Sequence, residues 1–234
     1  MNKSHVLFLL ISSLLLVSCG QNNLTNAELL HIAYLDSIEA TKDKIRPLLN
    51  LNKEDNKTYW NEDKVLLFTL HRFPTSYPEK QEITFTWGES WVCSVKEYSL
   101  WAKANKDNIQ DTLLRTKQLL GMAEDSPNTY ISTMWFSPKD LIRPAYVTDV
   151  NKPMDIVMEE GVSDDYLAWF KSQYYYSYEV KHLPWTRLGY TYDWSNEAKD
   201  RYGLSEFVAF EGTTVTVERT YLVEDFFQDA LTMK

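Results

Sequence analysis

Apolar positions recur along the chain with two different spacings, and segments of the two kinds are mixed. Residues 26–49 carry helical spacing, with Leu29, Ile32, Ala33 and Ile38 on one side, Thr25 or Asn26 as N-cap and Pro47 as the stop. The apolar run Val65 to Leu70 predicts a buried strand. Ile83, Phe85 and Trp87 alternate with Thr84 and Thr86, a half-buried strand ending at Gly88. Trp91, Val95, Tyr98 and Ala102 fit a helix. A further helix is expected over 108–120, capped by Asp107, with Ile109, Leu113 and Leu120 on one face and Gly121 at C′. Ile131 to Phe136 predicts a strand, and Ser137-Pro138-Lys139-Asp140 predicts about one helical turn, limited by Pro144. Ser163 caps a helix carrying Tyr166, Leu167, Phe170 and Tyr174. Phe207–Phe210 and Thr214–Glu218 bracket Glu211-Gly212 as a candidate hairpin, and a short helix from Val223 to Leu231 closes the chain. With no regular βαβ rhythm, the order predicts a single α+β domain over 26–234, a mainly antiparallel sheet packed by several helices.

The first residues predict an address rather than part of that domain. Lys3 precedes an apolar stretch from Val6 to Val17, interrupted only by Ser12 and Ser13, and Leu16-Val17-Ser18-Cys19 follows. A positive start, a short apolar core and small residues before a cut describe a secretory signal peptide over 1–18. The stretch spans roughly 18 Å as a helix, short of the ~30 Å hydrocarbon core of a bilayer. Leu16 to Cys19 resembles the bacterial lipobox. That resemblance implies cleavage before Cys19, diacylglycerol on its thiol and often an acyl chain on the new amino group. At about 0.8 kcal/mol per buried CH₂, two or three chains anchor far more firmly than a single myristoyl group. Residues 19–25 form a polar tether. Gly20 stands where an acidic residue would favour the inner membrane, so the outer membrane is expected.

Composition narrows the partners. Without residues 1–18 the chain holds 23 basic against 33 acidic residues, a net of −10. An acidic surface is wrong for nucleic acid phosphates and for electrostatic attachment to anionic lipid, so lipid on Cys19 is the expected membrane contact. With Cys19 committed to lipid, Cys93 stands alone and no intramolecular disulfide forms. Eight Trp, fifteen Tyr and ten Phe supply large buried area.

Candidate chemistry is thin. His182-Leu183-Pro184-Trp185-Thr186-Arg187-Leu188-Gly189-Tyr190-Thr191-Tyr192-Asp193-Trp194 is the densest segment. An extended second half lines Tyr190, Tyr192 and Trp194 along one face and Thr191 and Asp193 along the other. Such rings beside Asp and Arg suit a sugar or peptide groove, but a core strand packed on a helix is the simpler reading. Cys93, His182 and Asn196 or Asp193 follow the order used by papain-like hydrolases, without a nucleophile motif around Cys93; a buried inert thiol is the favoured reading. The dispersed His31, His71 and His182 lack metal-ligand spacing, and no phosphate loop or serine elbow appears, so no metal or cofactor is expected.

Arg72, Arg143 and Arg187 each lie beside Pro or aromatic residues, and converging guanidiniums would hold a carboxylate or phosphate. With Trp185, Tyr190 and Asp193 they form the candidate ligand-binding set. An Arg187–Asp193 pair across Gly189 is the expected structural use of those two residues.

His71-Arg72-Phe73-Pro74 through Trp87-Gly88 and Trp91-Val92, Gln118 to Gly121, Asp140 to Pro144, Pro184 to Trp194 and Gly203 to Phe207 resemble a family of exported bacterial proteins to which no activity is assigned. The likeness spans most of residues 64–210, with Pro184–Trp194 its most specific block. It implies a shared fold and no mechanism. Cysteines often follow the Arg-Pro pair in that family; here Ala145-Tyr146-Val147 stand there, which removes the implied disulfide bracing. The expected function is a lipid-anchored, non-enzymatic binding or interaction module of the cell envelope, with a protein, peptide or glycan partner. The alternatives are an envelope hydrolase using Cys93 and His182 or a carboxylate pair, and an immunity-type or inhibitor lipoprotein using its acidic surface.

Overall fold

Side-chain caps start most of the helices. The computed structural model describes residues 24–234; the expected signal peptide and the lipid site at Cys19 lie outside the described residues. Thr25 and Glu28 form a reciprocal capping box for α1 (Asn26–Ser37). β1 (Trp60–Asn61), β2 (Lys64–His71), β3 (Glu82–Thr84) and β4 (Ser90–Ser94) follow, and Ser94 caps α2 (Val95–Asn105). Asp111 caps α3 (Thr112–Leu119). After β5 (Tyr130–Phe136), Ser163 caps α4 (Asp164–Tyr175), which continues into a π-helical turn to Lys181. β6 (Tyr190–Tyr192), β7 (Tyr202–Ala209), β8 (Thr214–Leu222) and α5 (Val223–Thr232) complete the chain. Among the described residues no helix is long and apolar enough to cross a membrane.

The strands form one antiparallel sheet in the order β3-β8-β5-β2-β4-β7-β6, with β1 beside β2. This is the α+β architecture expected from the sequence, with one correction that shapes the whole molecule. β7 and β8 are not a hairpin: three strands lie between them. Four strand spacings of a flat sheet measure roughly 19 Å, more than Phe210–Thr213 and its glycine turn can bridge. The sheet therefore curls, bringing the ends of β7 and β8 together. Phe85 locks the closure, donating to Thr213 O and accepting from Gly212 N at 2.9 Å each. Inside the curl, Val65, Leu67, Val92, Met134, Phe207 and Val217 form a core. On the outer face Phe68, Cys93 and Ile131 pack against Tyr98 and Ala102 of α2 and Phe226 and Ala230 of α5.

Other expectations shift for local reasons. The helix expected over 26–49 stops at Ser37, because Arg187 takes the carbonyls of Ser37 and Ile38. The strand expected through Trp87 shortens to Glu82–Thr84, since Phe85 turns into the core to close the sheet. Trp91 sits on β4 rather than on a helix, which begins only after the cap at Ser94. Asp107 lies in a separate single turn, and Asp111 is the cap of the helix that follows. Gly121 does take the left-handed conformation at the end of α3, with φ of 68°.

Candidate functional site

β2 and β4 pair only at Leu67–Ser94 and Phe68–Cys93. Beyond that point β2 stays with β5 as far as His71, while β4 stays with β7 from Ser90. The seam opens, and Thr69, Leu70 and His71 on one lip and Ser90, Trp91 and Val92 on the other line a cleft of about 750 Å³. That volume suits a small organic molecule.

The floor is a row across three strands. Phe68 stands opposite Cys93, and Cys93 stands opposite Glu206 on β7, so all three point to the same side of the sheet. Trp91, two residues before Cys93, is the diagonal neighbour of Glu206 on that side. Trp185 closes the opposite wall, its ring edge-on to Trp91 at 6.0 Å. His71, Tyr77 and Trp87 form a chain of rings at the mouth, with centroids 4.2 and 5.6 Å apart. Arg72 is exposed at the rim, its guanidinium over the Phe73 ring.

Two polar groups in this cleft are unsatisfied. Glu206 is 6% exposed and Trp185 7%, yet neither Glu206 Oε1 nor Trp185 Nε1 closes a hydrogen bond. Burial pushes the Glu206 carboxyl up to about 8, although the nearby Trp185 N–H pulls it the other way. The neighbouring buried acid shows how different this is. Glu97 of α2 accepts from Ser205 N at 2.8 Å and from the hydroxyls of Tyr202 and Ser205 at 3.1 and 3.3 Å.

His71 and Cys93, two further titratable groups of the cleft, are neutral near neutral pH. Burial holds His71 down at about 4; its Nε2 bonds Ser132 Oγ at 2.8 Å and its Nδ1 accepts from Phe73 N. Burial, then the Glu206 and Glu97 carboxylates, push the Cys93 thiol well above its ordinary value. Cys93 therefore has little thiolate character. His182 does not line this cleft; it is exposed, with its ring against Tyr34 at 5.0 Å. The structure thus does not assemble Cys93 and His182 into a catalytic pair. Among the described residues no group of three His, Cys, Asp or Glu side chains could hold a metal ion.

The sequence-derived candidates divide. Arg72, Trp185 and Tyr190 line the cleft; Arg143, Arg187 and Asp193 do not, so the three arginines fail to converge. Arg143 is fully buried and donates to the carbonyls of Leu49, Asp149, Val150 and Lys152 and to Asn50 Oδ1, tying two loops together. Arg187 is likewise buried, bonded to two carbonyls and to the hydroxyls of Tyr146 and Tyr178. Its expected partner Asp193 instead forms a two-pronged ion pair with Arg115 of α3, at 3.0 and 2.6 Å. Trp194 and Tyr192 pack on Leu29 and Ala33 of α1, the core-strand role of an aromatic stripe.

Sequence reasoning singled out neither Glu206 nor Trp91 as a site residue. The signal for Glu206 was an acid inside the otherwise uncharged run Gly203–Phe210. No protein-family model, no curated protein and no solved structure matches this chain.

Proposed function

We propose that this chain is a lipid-anchored, non-enzymatic binding module of the cell envelope, held in the outer membrane through Cys19, with the cleft between β2 and β4 as its ligand site. The observation that carries the binding reading is the open seam itself. A cleft of about 750 Å³, walled by Trp91 and Trp185, contains the buried Glu206 carboxyl and the Trp185 indole N–H, which lie near each other without closing a hydrogen bond. Buried polar atoms without partners are costly, and a ligand that supplies the partners recovers that cost. The neutral His71 and the protonated Cys93 favour binding over nucleophilic catalysis.

The test is calorimetric titration of the full chain in maltoside micelles with benzyl alcohol, corrected against protein-free micelles. One saturable site is expected, weakened by Trp91→Ala without a change in the circular dichroism spectrum. Absence of saturable heat from the wild type would remove the cleft as a site for apolar ligands. The anchor is tested separately by feeding cells a clickable fatty acid: wild type is expected to be labelled and Cys19→Ala not. Equal labelling would end the lipoprotein reading.

A further inference from the structure

Glu206 resembles half of an ion pair. Among the described residues it forms no hydrogen bond or salt bridge with a lysine or arginine, although the protein supplies Arg115 to the buried Asp193 and three hydrogen-bond donors to the buried Glu97. Glu206 lies in the wall of a cleft rather than in one of the hydrophobic core clusters, with Trp91 diagonal to it on the strand pair and the Trp185 indole beside it. Aromatic rings around a lone acid are the elements of a cation site: the acid supplies the counter-charge and the rings supply their negative faces. Elsewhere this chain builds such a box for itself. The Arg187 guanidinium lies 5.1, 5.3 and 5.7 Å from the ring centres of Tyr178, Tyr174 and Tyr146.

We propose that the cleft receives a small organic cation, an ammonium group that pairs with Glu206 beside the Trp91 and Trp185 rings. This rests on the reading of the cleft as a ligand site and names its ligand class. Binding converts the Glu206 acid to carboxylate and releases its proton to solvent, so occupancy is coupled to pH.

The groups around Glu206 leave it as the titrating member. Cys93 on β4 stands opposite it, Tyr166 on α4 and Tyr190 on β6 lie within reach of its charge with their hydroxyls bonded to the Ala145 and Lys44 carbonyls, and burial raises all three, keeping them protonated at neutral pH. Glu97 on α2 is reached through Cys93 and is held by its own hydrogen bonds. His71, at about 4, is already neutral above pH 6. At the rim the Arg72 guanidinium lies over the Phe73 ring, and Glu89 accepts a hydrogen bond from Gln173.

Choline and its uncharged isostere 3,3-dimethylbutan-1-ol isolate the contribution of the charge. Each is titrated calorimetrically into the full chain in maltoside micelles from pH 6 to 9. Choline is expected to bind at least about tenfold more tightly than the isostere at pH 8. Its affinity should rise by about tenfold per pH unit up to the Glu206 value near 8 and then level off. Glu206→Gln, checked for folding by its denaturant midpoint, is expected to abolish both the preference and the pH dependence. Equal affinity for the two probes, or a choline affinity that ignores pH and Glu206→Gln, would overturn the cation inference. Saturable benzyl alcohol binding would then still support a binding cleft, whereas no binding of any of the three probes would overturn both readings.

Discussion

Arg187 and Glu206 are both buried ionisable residues beside aromatic rings, and the protein treats them in opposite ways. Arg187 is surrounded by three tyrosine rings and gives its donors to two tyrosine hydroxyls and to the carbonyls that end α1. Glu206 faces a cleft, with Oε1 unbonded. A satisfied buried charge fixes architecture: Arg187 ties the C-terminal end of α1 to the π-helical turn and to the loop after it. An unsatisfied one opening on a cavity marks a place where the protein is incomplete without a ligand. Exposure alone does not separate them, since both are nearly inaccessible.

The sharpest way to break this comparison is to remove the buried arginines that hold the framework. Arg143→Ala and Arg187→Ala each leave several buried carbonyls or hydroxyls unpaired and open a cavity, for an expected loss of about 3–5 kcal/mol or failure to fold. An unchanged urea midpoint for Arg187→Ala would make it a surface-like contact and dissolve the contrast.

Glu206→Gln is expected to act with the opposite sign, and only at higher pH. The folded carboxyl is raised from 4.5 to about 8, so its stabilising contribution is complete below 4.5 and is lost as pH rises toward 8. The variant should therefore match wild type near pH 4.5 and exceed it by about 3–5 kcal/mol above pH 8, the upper bound set by that shift. His71 gives the other arm. Lowered from 6.5 to about 4, it stabilises the fold above 6.5 and loses that contribution as pH falls through 4. Urea midpoints measured across pH 4–9 check both arms; a Glu206→Gln gain that is the same at every pH would show that the carboxyl's ionisation is not the cause.

Smaller effects sharpen the cleft's outline. Cys93→Ala replaces a buried thiol by a methyl group and is expected to cost about 1 kcal/mol. Ellman's reagent should react slowly with native Cys93 and quickly in urea; fast native labelling would make this thiol accessible and reactive. Arg72→Ala at the rim is expected to change stability by less than about 0.5 kcal/mol. A larger loss would place that side chain within the structural framework.

The sequence by itself determined the local elements: a cap at Thr25 or Asn26 and one at Ser163, the strands around Val65–Leu70 and Ile131–Phe136, the stop at Gly121 and the closing helix. These depend on hydrogen bonds and side-chain spacing within a few residues, which periodicity and capping chemistry reveal directly. Trp185, Tyr190 and Arg72 were also legible as candidates, because aromatic and cationic residues stand out in any window. Strand partnership was not. A four-residue link between β7 and β8 reads as a hairpin, and only the curling of the sheet sends the two strands to different neighbours. The pairing of Asp193 with Arg115, 78 residues away, was equally hidden. The cleft depends on the most distant relation of all. Phe68, Cys93 and Glu206 form one row only because three strands far apart in sequence share a register, and the seam beside them opens only where two of those strands part. Tertiary structure decided the site, because long-range pairing energies set register and separation while the local pattern is compatible with several of them.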